Sequence, residues 1–372
     1  MIRTRAAGDA RAIAPVPRRV VECVVLGLWL VLVVLWELTC PLEEEGDGLV
    51  RRTVTCAAFL MAVGYLLTGV RRGPVRELRE ARAVARATQD VLLRPLPPAI
   101  DGLTLAARRL SVSHGADVGG DLYEAVATPY GVRIVIGDVR GHGLSAIGAV
   151  AAVLGSFREA AHDEAGLDGV LRRLDRAYQR RLRDLVRQEH PATDGREPEN
   201  PAAEEFVTVL LLEIGADSDV RALNCGHPWP YRLGQGAVPL STVEPLPPLG
   251  AFPLPDDLAP LVCGRLLPGE ALFLHTDGAE DARDAAGRFF GLKDALVRSL
   301  AGCPPGVPVS PAHVARQVHT ALLRHTGGRI TDDVALLVLR NDRGDRGDRT
   351  RVPAQQTGEP ALRRARTEPS RR

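Results

Sequence analysis

The sequence predicts an α+β layered fold for the larger part of the chain, and three observations carry that prediction. Short apolar or β-rich runs, bounded by turn residues, come in groups before and after a pair of helical stretches. The strict strand–helix alternation of a doubly wound sheet is missing. A chain of 372 residues with 45% hydrophobic content is long enough to bury a sizeable core. The net charge of +1 offers no global basic field, so nucleic acid is not an expected partner. The six cysteines are scattered without a Cys-x-x-Cys pair, which speaks against a zinc cluster and against a secreted disulfide framework.

In chain order, residues 1–19 read as a cytoplasmic N-terminal arm. Residues 20–38 (VVECVVLGLWLVLVVLWEL) and 53–70 (TVTCAAFLMAVGYLLTGV) are each near the length that crosses about 30 Å of hydrocarbon. Residues 20–70 are therefore expected to form a two-helix transmembrane hairpin. Arg3, Arg5, Arg11, Arg18 and Arg19 precede it and Arg71, Arg72, Arg76 and Arg79 follow it, whereas Glu43, Glu44, Glu45 and Asp47 lie in the connection beside Arg51 and Arg52. The positive-inside rule then places both ends in the cytoplasm, with the chain a multi-pass protein of the cell membrane. Residues 71–98, rich in Ala, Arg, Glu and Leu and closed by Pro95, Pro97 and Pro98, read as a linker helix. It fits a spacer and a lever equally, and it is the element through which a homodimer would form.

The region 99–340 reads as the layered domain. Strands are expected at 103–110, 121–128, 132–139, 206–214, 220–226, 271–278 and 334–340, and helices at 145–161, 166–188, 293–300 and 311–324. Residues 187–203 read as a flexible insertion, and 341–372, polar and rich in arginine, as a disordered tail.

Within that domain, acids repeatedly stand at the ends of apolar strands beside small residues. Asp138 ends IVIGD ahead of RGHG, Asp121 follows two glycines in VGGDLYEA, Asp277 ends ALFLHTDG, and Asp332 with Asp333 precedes VALLVLR. One Asp-Gly at a strand end is an ordinary turn. Four such ends in one domain suit hard divalent cations, because carboxylate oxygens must approach the metal and glycine lets the backbone turn beside them. Two Mg2+ or Mn2+ ions about 4 Å apart can activate a shared water for in-line attack on phosphorus.

At these residues the sequence resembles the metal-dependent protein phosphatase (PPM) family, in its SpoIIE/RsbU-like branch. The matching segments are GGDLYE (119–124), GDVRGHGLSA (137–146), NCGHPWP (224–230), TDGAEDAR (276–283), FFG (289–291) and DDVALLV (332–338). The resemblance implies an αββα sandwich of two antiparallel sheets flanked by helices, with two Mn2+ or Mg2+ ions at one end. Asp138 then resembles the carboxylate bridging both ions, with the Val139 carbonyl as a further ligand. Asp277 and Asp332 resemble ligands of the first ion, Asp121 a metal ligand or the group that orients the bridging water, and Asp333 a supporting acid behind the ligands. His142 matches a residue that hydrogen-bonds phosphate or donates a proton, or else only shapes the turn. Asn224, Gly226 and His227 match a motif that shapes a loop. Glu124, Ile147, Asp281 and Ala335 depart from the pattern, and none of these departures removes a metal ligand. The implied activity is hydrolysis of a phosphorylated regulatory protein, such as an anti-sigma-factor antagonist, with a pseudophosphatase scaffold as the alternative.

Overall fold

The computed structural model describes Gly27, Thr53, Ala57, Met61, Gln89 and residues 91–110, 119–141, 144–189, 205–302 and 307–344. The chain divides into two units, Met1–Ala81 and Arg82–Arg372, and the fold below is that of the second.

Eleven strands among the described residues build two sheets. The first sheet runs β1 (Ala99–Ile100), β2 (Leu103–Leu110), β11 (Val334–Asn341), β10 (Ala271–His275), β7 (Tyr231–Leu233) and β8 (Ala237–Pro239). The second runs β3 (Leu122–Thr128), β4 (Gly131–Val139), β5 (Val207–Ile214), β6 (Asp219–Cys225) and β9 (Leu261–Arg265). All the pairings within the two sheets are antiparallel.

Alternation along the strands explains the layering. On β4, Val132, Ile134 and Ile136 point into one buried cluster, while Val135 and Val139 belong to another. On β11, Ala335, Leu337 and Leu339 join that first cluster, while Val334, Leu336 and Val338 join a third. The shared cluster is therefore the seam between the two sheets, and each sheet keeps a second apolar face for helices, as the two-residue repeat of a strand requires. Helices α1 (Leu144–Asp163) and α2 (Leu167–Glu189) cover the second sheet; α4 (Leu292–Ala301) and α5 (Pro311–His325) cover the first, and the short α3 (Gly278–Asp281) follows β10. On α2, Leu167, Val170, Leu171, Leu174, Tyr178 and Leu182 are buried at helical spacing. The expected αββα sandwich is what forms.

Several expectations need correction. Among the described residues no helix is long and apolar enough to cross a membrane. The longest, α1 and α2, bury one face against the sheet and carry charges such as Arg158, Glu159, Asp168 and Arg172, and hydrocarbon tolerates such charges poorly. The transmembrane hairpin and the membrane location are corrected on that finding. Their stretches, 20–38 and 53–70, lie outside the described residues apart from Gly27, Thr53, Ala57 and Met61, and the linker with its dimer lies outside them apart from Gln89 and 91–98. The strand expected to end at 278 stops at His275, and the strand expected to end at 340 continues through Asn341. Asn341 is fully buried, its Nδ2 donating to Ser218 Oγ at 3.1 Å and to Leu266 O at 2.7 Å. Of the expected flexible insertion, 190–203 lie outside the described residues.

One buried charge ties α1 to the second sheet. Arg133, on β4, is fully buried and reaches Glu213 Oε2 on β5 at 2.7 Å. It also donates to Ala161 O at 2.9 Å, to Glu164 O and to Ala165 O at 2.8 Å. These carbonyls lie at and just beyond the C-terminal end of α1, where helical partners run out and a cation is favoured. Arg133→Ala is expected to lower unfolding free energy in urea titration by about 3–5 kcal/mol, because it strands Glu213 and those carbonyls. Arg221→Ala, on the exposed side of the same Glu213, is expected to cost less than about 1 kcal/mol.

Candidate metal centre

Antiparallel pairing brings the strand-end acids together. Leu122 pairs with Gly137, and beyond that pair Val139 N donates to Gly120 O at 3.2 Å. Asp121, before β3, and Asp138, near the end of β4, therefore stand at one end of the second sheet. His275 pairs with Leu336, so Asp277, two residues after β10, and the Asp332–Asp333 pair, just before β11, stand at one end of the first. Thr276 joins the two sheets at this end. Its Oγ1 donates to Asp121 Oδ2 at 3.3 Å and accepts from Ala335 N at 2.9 Å.

The acids grade from floor to rim. Asp121 and Asp333 are buried, Asp138 and Asp277 half-buried, and Asp332 exposed. Their charges oppose one another. Burial pushes the Asp138 carboxyl up to about 8, with Asp277, Asp332 and Asp333 adding to the push. Burial, then Asp138 and Asp333, raise Asp121 well above the usual carboxylate range. Burial, then Asp332, raise Asp277. Carboxylates held this way favour either protons or cations in their midst.

The glycines are required by close approach. A Cβ at Gly119 would overlap Asp333 Oδ2; one at Gly120 would overlap Val139 O and lie 2.8 Å from Asp138 Oδ1; one at Gly278 would overlap Asp333 O. A carboxylate and carbonyl cradle that only glycine permits is an all-oxygen donor set of the kind hard divalent cations take. As placed, the side chains do not form a closed set: among the described residues no group of three His, Cys, Asp or Glu stands at metal-binding spacing. The residues present fit a divalent cation by donor type, charge and access.

The structure thus brings Asp121, Asp138, Val139, Asp277, Asp332 and Asp333 to one end of the sandwich, whereas His142 lies outside the described residues. Three supports were not anticipated from sequence. Thr208, opposite Asp138 on β5, bonds its backbone; its signal was a polar residue inside the apolar run VTVLLLEI. Thr276 lay within the TDG motif itself. Gln89, 4% exposed, donates from Nε2 to Gly119 O at 3.0 Å, and nothing local in the sequence marks it. The NCGHPWP segment is the expected shaped loop: Asn224 Oδ1 accepts from His227 N at 2.9 Å and its Nδ2 donates to His227 O at 2.8 Å. Burial, then His275, push the His227 imidazole down to about 3, so it is neutral.

Comparison with known proteins places the chain in a family. The family model described as Stage II sporulation protein E (SpoIIE) matches residues 128–342, more than half of the chain. The SiaA-PP2C domain of Pseudomonas aeruginosa is similar in structure at a TM-score of 0.50 and 16% identity, over 73% of this chain and 99% of that one. The RsbU and RsbW domains of a Mycobacterium tuberculosis protein align at a TM-score of 0.48 and 22% identity, over 64% of this chain and 61% of that one. The PP2C phosphatase domain of SpoIIE from Bacillus subtilis, with a fragment of its regulatory domain, aligns at 0.46 and 16% identity, over 64% of each chain. This chain thus spans less than two thirds of the length of the last two. At these identities the likeness is one of fold.

Two substitutions separate charge from shape at this end of the sandwich. In EDTA, Asp138→Asn is expected to melt a few degrees above the wild type in a calorimetric scan, because it removes one of several opposed charges. Gly120→Ala is expected to lose about 1–3 kcal/mol by forcing its methyl against Val139 O, and to abolish any rise in melting temperature on adding Mn2+.

Proposed function

The chain belongs to the SpoIIE family, and we propose that it works as a metal-dependent protein serine/threonine phosphatase acting on a phosphorylated regulatory protein. The observation that carries this reading is the convergence of carboxylates from four strand ends against a glycine cradle. Asp138 would lie between two Mn2+ or Mg2+ ions, with the Val139 carbonyl, Asp277, Asp332 and Asp121 completing their ligands and Asp333 behind them. The ions, when bound, neutralise phosphoryl charge and lower the pKa of a water poised for in-line attack.

The chain's own part is to hold that array. Thr276 fixes Asp121 while bonding the backbone of β11, so the acids of the two sheets keep their spacing. The exposed Asp332 leaves the rim open to a phosphorylated side chain carried on a folded partner. Among the described residues neither cysteine suits a covalent route, since burial pushes the Cys225 thiol up to about 12 and also raises Cys263, and the thiolate is the nucleophilic form. The family resemblance supports an anti-sigma-factor antagonist as the phosphoprotein. The retained acids speak against a scaffold that binds a regulator without hydrolysing it.

The purified chain is expected to hydrolyse a phosphoserine peptide with Mn2+, to stop in EDTA, and to resume when Mn2+ is returned. Asp138→Asn, Asp277→Asn and Asp332→Asn are each expected to lower kcat/KM more than about a hundredfold in the same phosphate-release assay, beyond the usual loss for a residue behind the ligands. Metal-independent hydrolysis, or a folded chain inert toward every phosphoprotein offered, would contradict the reading.

A further inference from the structure

Asp138 is gripped at its backbone by a side chain of the neighbouring strand. Asp138 and Thr208 face each other in the β4–β5 register. Asp138 N donates to Thr208 Oγ1 at 3.2 Å, and the hydroxyl lies 3.4 Å from Asp138 O. The strands approach closely here because residue 137 is glycine, and a Cβ at that position would overlap Thr208 O. Thr208 Oγ1 lies in turn 3.1 Å from His227 Nδ1. His227 is 2% exposed, and its N–H and C=O are both held by the side-chain amide of Asn224, itself 5% exposed. Gly226, at φ 70°, makes the tight turn between them in a conformation open chiefly to glycine.

Closing that turn needs only the Asn224–His227 pair. The reach of the imidazole to Thr208, and of Thr208 to both polar groups of Asp138, is additional. A hydroxyl has one proton and two lone pairs. It can accept from Asp138 N–H and from His227 Nδ1–H while its own proton turns toward Asp138 O, or it can donate to Nδ1 instead; in either arrangement Asp138 is tethered.

We propose that Asn224, His227 and Thr208 form a positioning relay for Asp138, fixing the peptides on either side of it and so aiming its carboxylate at the cations. This rests on the phosphatase reading above and assigns the NCGHPWP loop a part in metal binding beyond its own shape. The three are positioning residues, since their contacts run to the backbone of Asp138 and to one another. Partners of this kind, one step behind metal ligands, are worth about 10- to 100-fold in metal affinity.

The test is calorimetric titration of the full chain with Mn2+, well below its melting temperature, beside kcat and KM for a phosphoserine peptide. Thr208→Val keeps the side-chain shape and deletes the hydroxyl; it is expected to weaken Mn2+ binding at least about tenfold and to lower kcat at subsaturating Mn2+ with KM for peptide unchanged. Thr208→Ser restores the hydroxyl and is expected to return Mn2+ affinity to within about twofold of wild type. If the valine variant fails to fold by circular dichroism, Thr208→Ala carries the same expectation. His227→Phe combined with Thr208→Val is expected to be no worse than the weaker-binding single variant, as for members of one chain. Wild-type Mn2+ affinity in the folded valine or alanine variant, or a serine variant as impaired as they are, would overturn the relay. A wild type that shows no Mn2+-dependent hydrolysis would overturn the phosphatase reading and the relay with it.

Discussion

Like charges forced together at the end of a sandwich are the constraint on which the rest of this structure depends. Asp121, Asp138, Asp277, Asp332 and Asp333 sit where strands of two sheets terminate, and burial and mutual repulsion drive Asp121, Asp138 and Asp277 above the usual carboxylate range. A chain selected for stability alone would not keep such a cluster, since each ionised group taken from water costs free energy unless a partner of opposite sign meets it. The arrangement becomes favourable once cations stand among the acids. The glycines at 119, 120 and 278 serve the same end, because a side chain at any of them would collide with the oxygens of Asp333 or Val139.

Much of the surrounding fold keeps that repulsion from spreading the strands. The seam between the sheets is built on apolar side chains, from Leu103 and Leu105 through Ile134 and Ile136 to Leu337 and Leu339, and non-directional burial of this kind resists separation of the layers. Directional bonds then fix the acid-bearing ends: Thr276 across the sheets, Thr208 across β4 and β5, and Gln89 onto Gly119. Arg158 adds a further tie between α1, β3 and the segment before the domain, reaching Glu124 Oε2 at 2.7 Å and Leu92 O at 2.8 Å. Residues ahead of the first strand thus bond directly to a peptide next to the acids.

The parts legible in the sequence were those whose cause is local. Helices such as Pro311–His325 carry their own signals, with Ser310 accepting from His313 N and Pro311 opening the first turn. Acids next to glycine at strand ends announced the site because both residue types are needed within a few positions of each other. The strands β1, β7, β8 and β9 carry no such signal because each has five residues or fewer, lies among prolines and glycines, and is extended by pairing with β2, β10, β7 and β6 respectively. The partition into sheets was equally hidden: β2 pairs with β11 from the far end of the domain, and no local pattern encodes that. Thr208 illustrates the same limit, since its meaning depends on the register that sets it against Asp138. The membrane hairpin rests on the apolar length of two stretches and on the charges that flank them, and no helix among the described residues is long and apolar enough to cross a membrane.

The central claim is that these carboxylates are arranged for cations. The most direct measurement is anomalous diffraction at the manganese edge from crystals grown with Mn2+. The account predicts a pair of peaks about 4 Å apart with the Asp138 carboxylate between them and Asp277 and Asp332 alongside. Crystals saturated with Mn2+ that show no peak at this end of the sandwich, with the same acids paired to one another through shared protons, would contradict it.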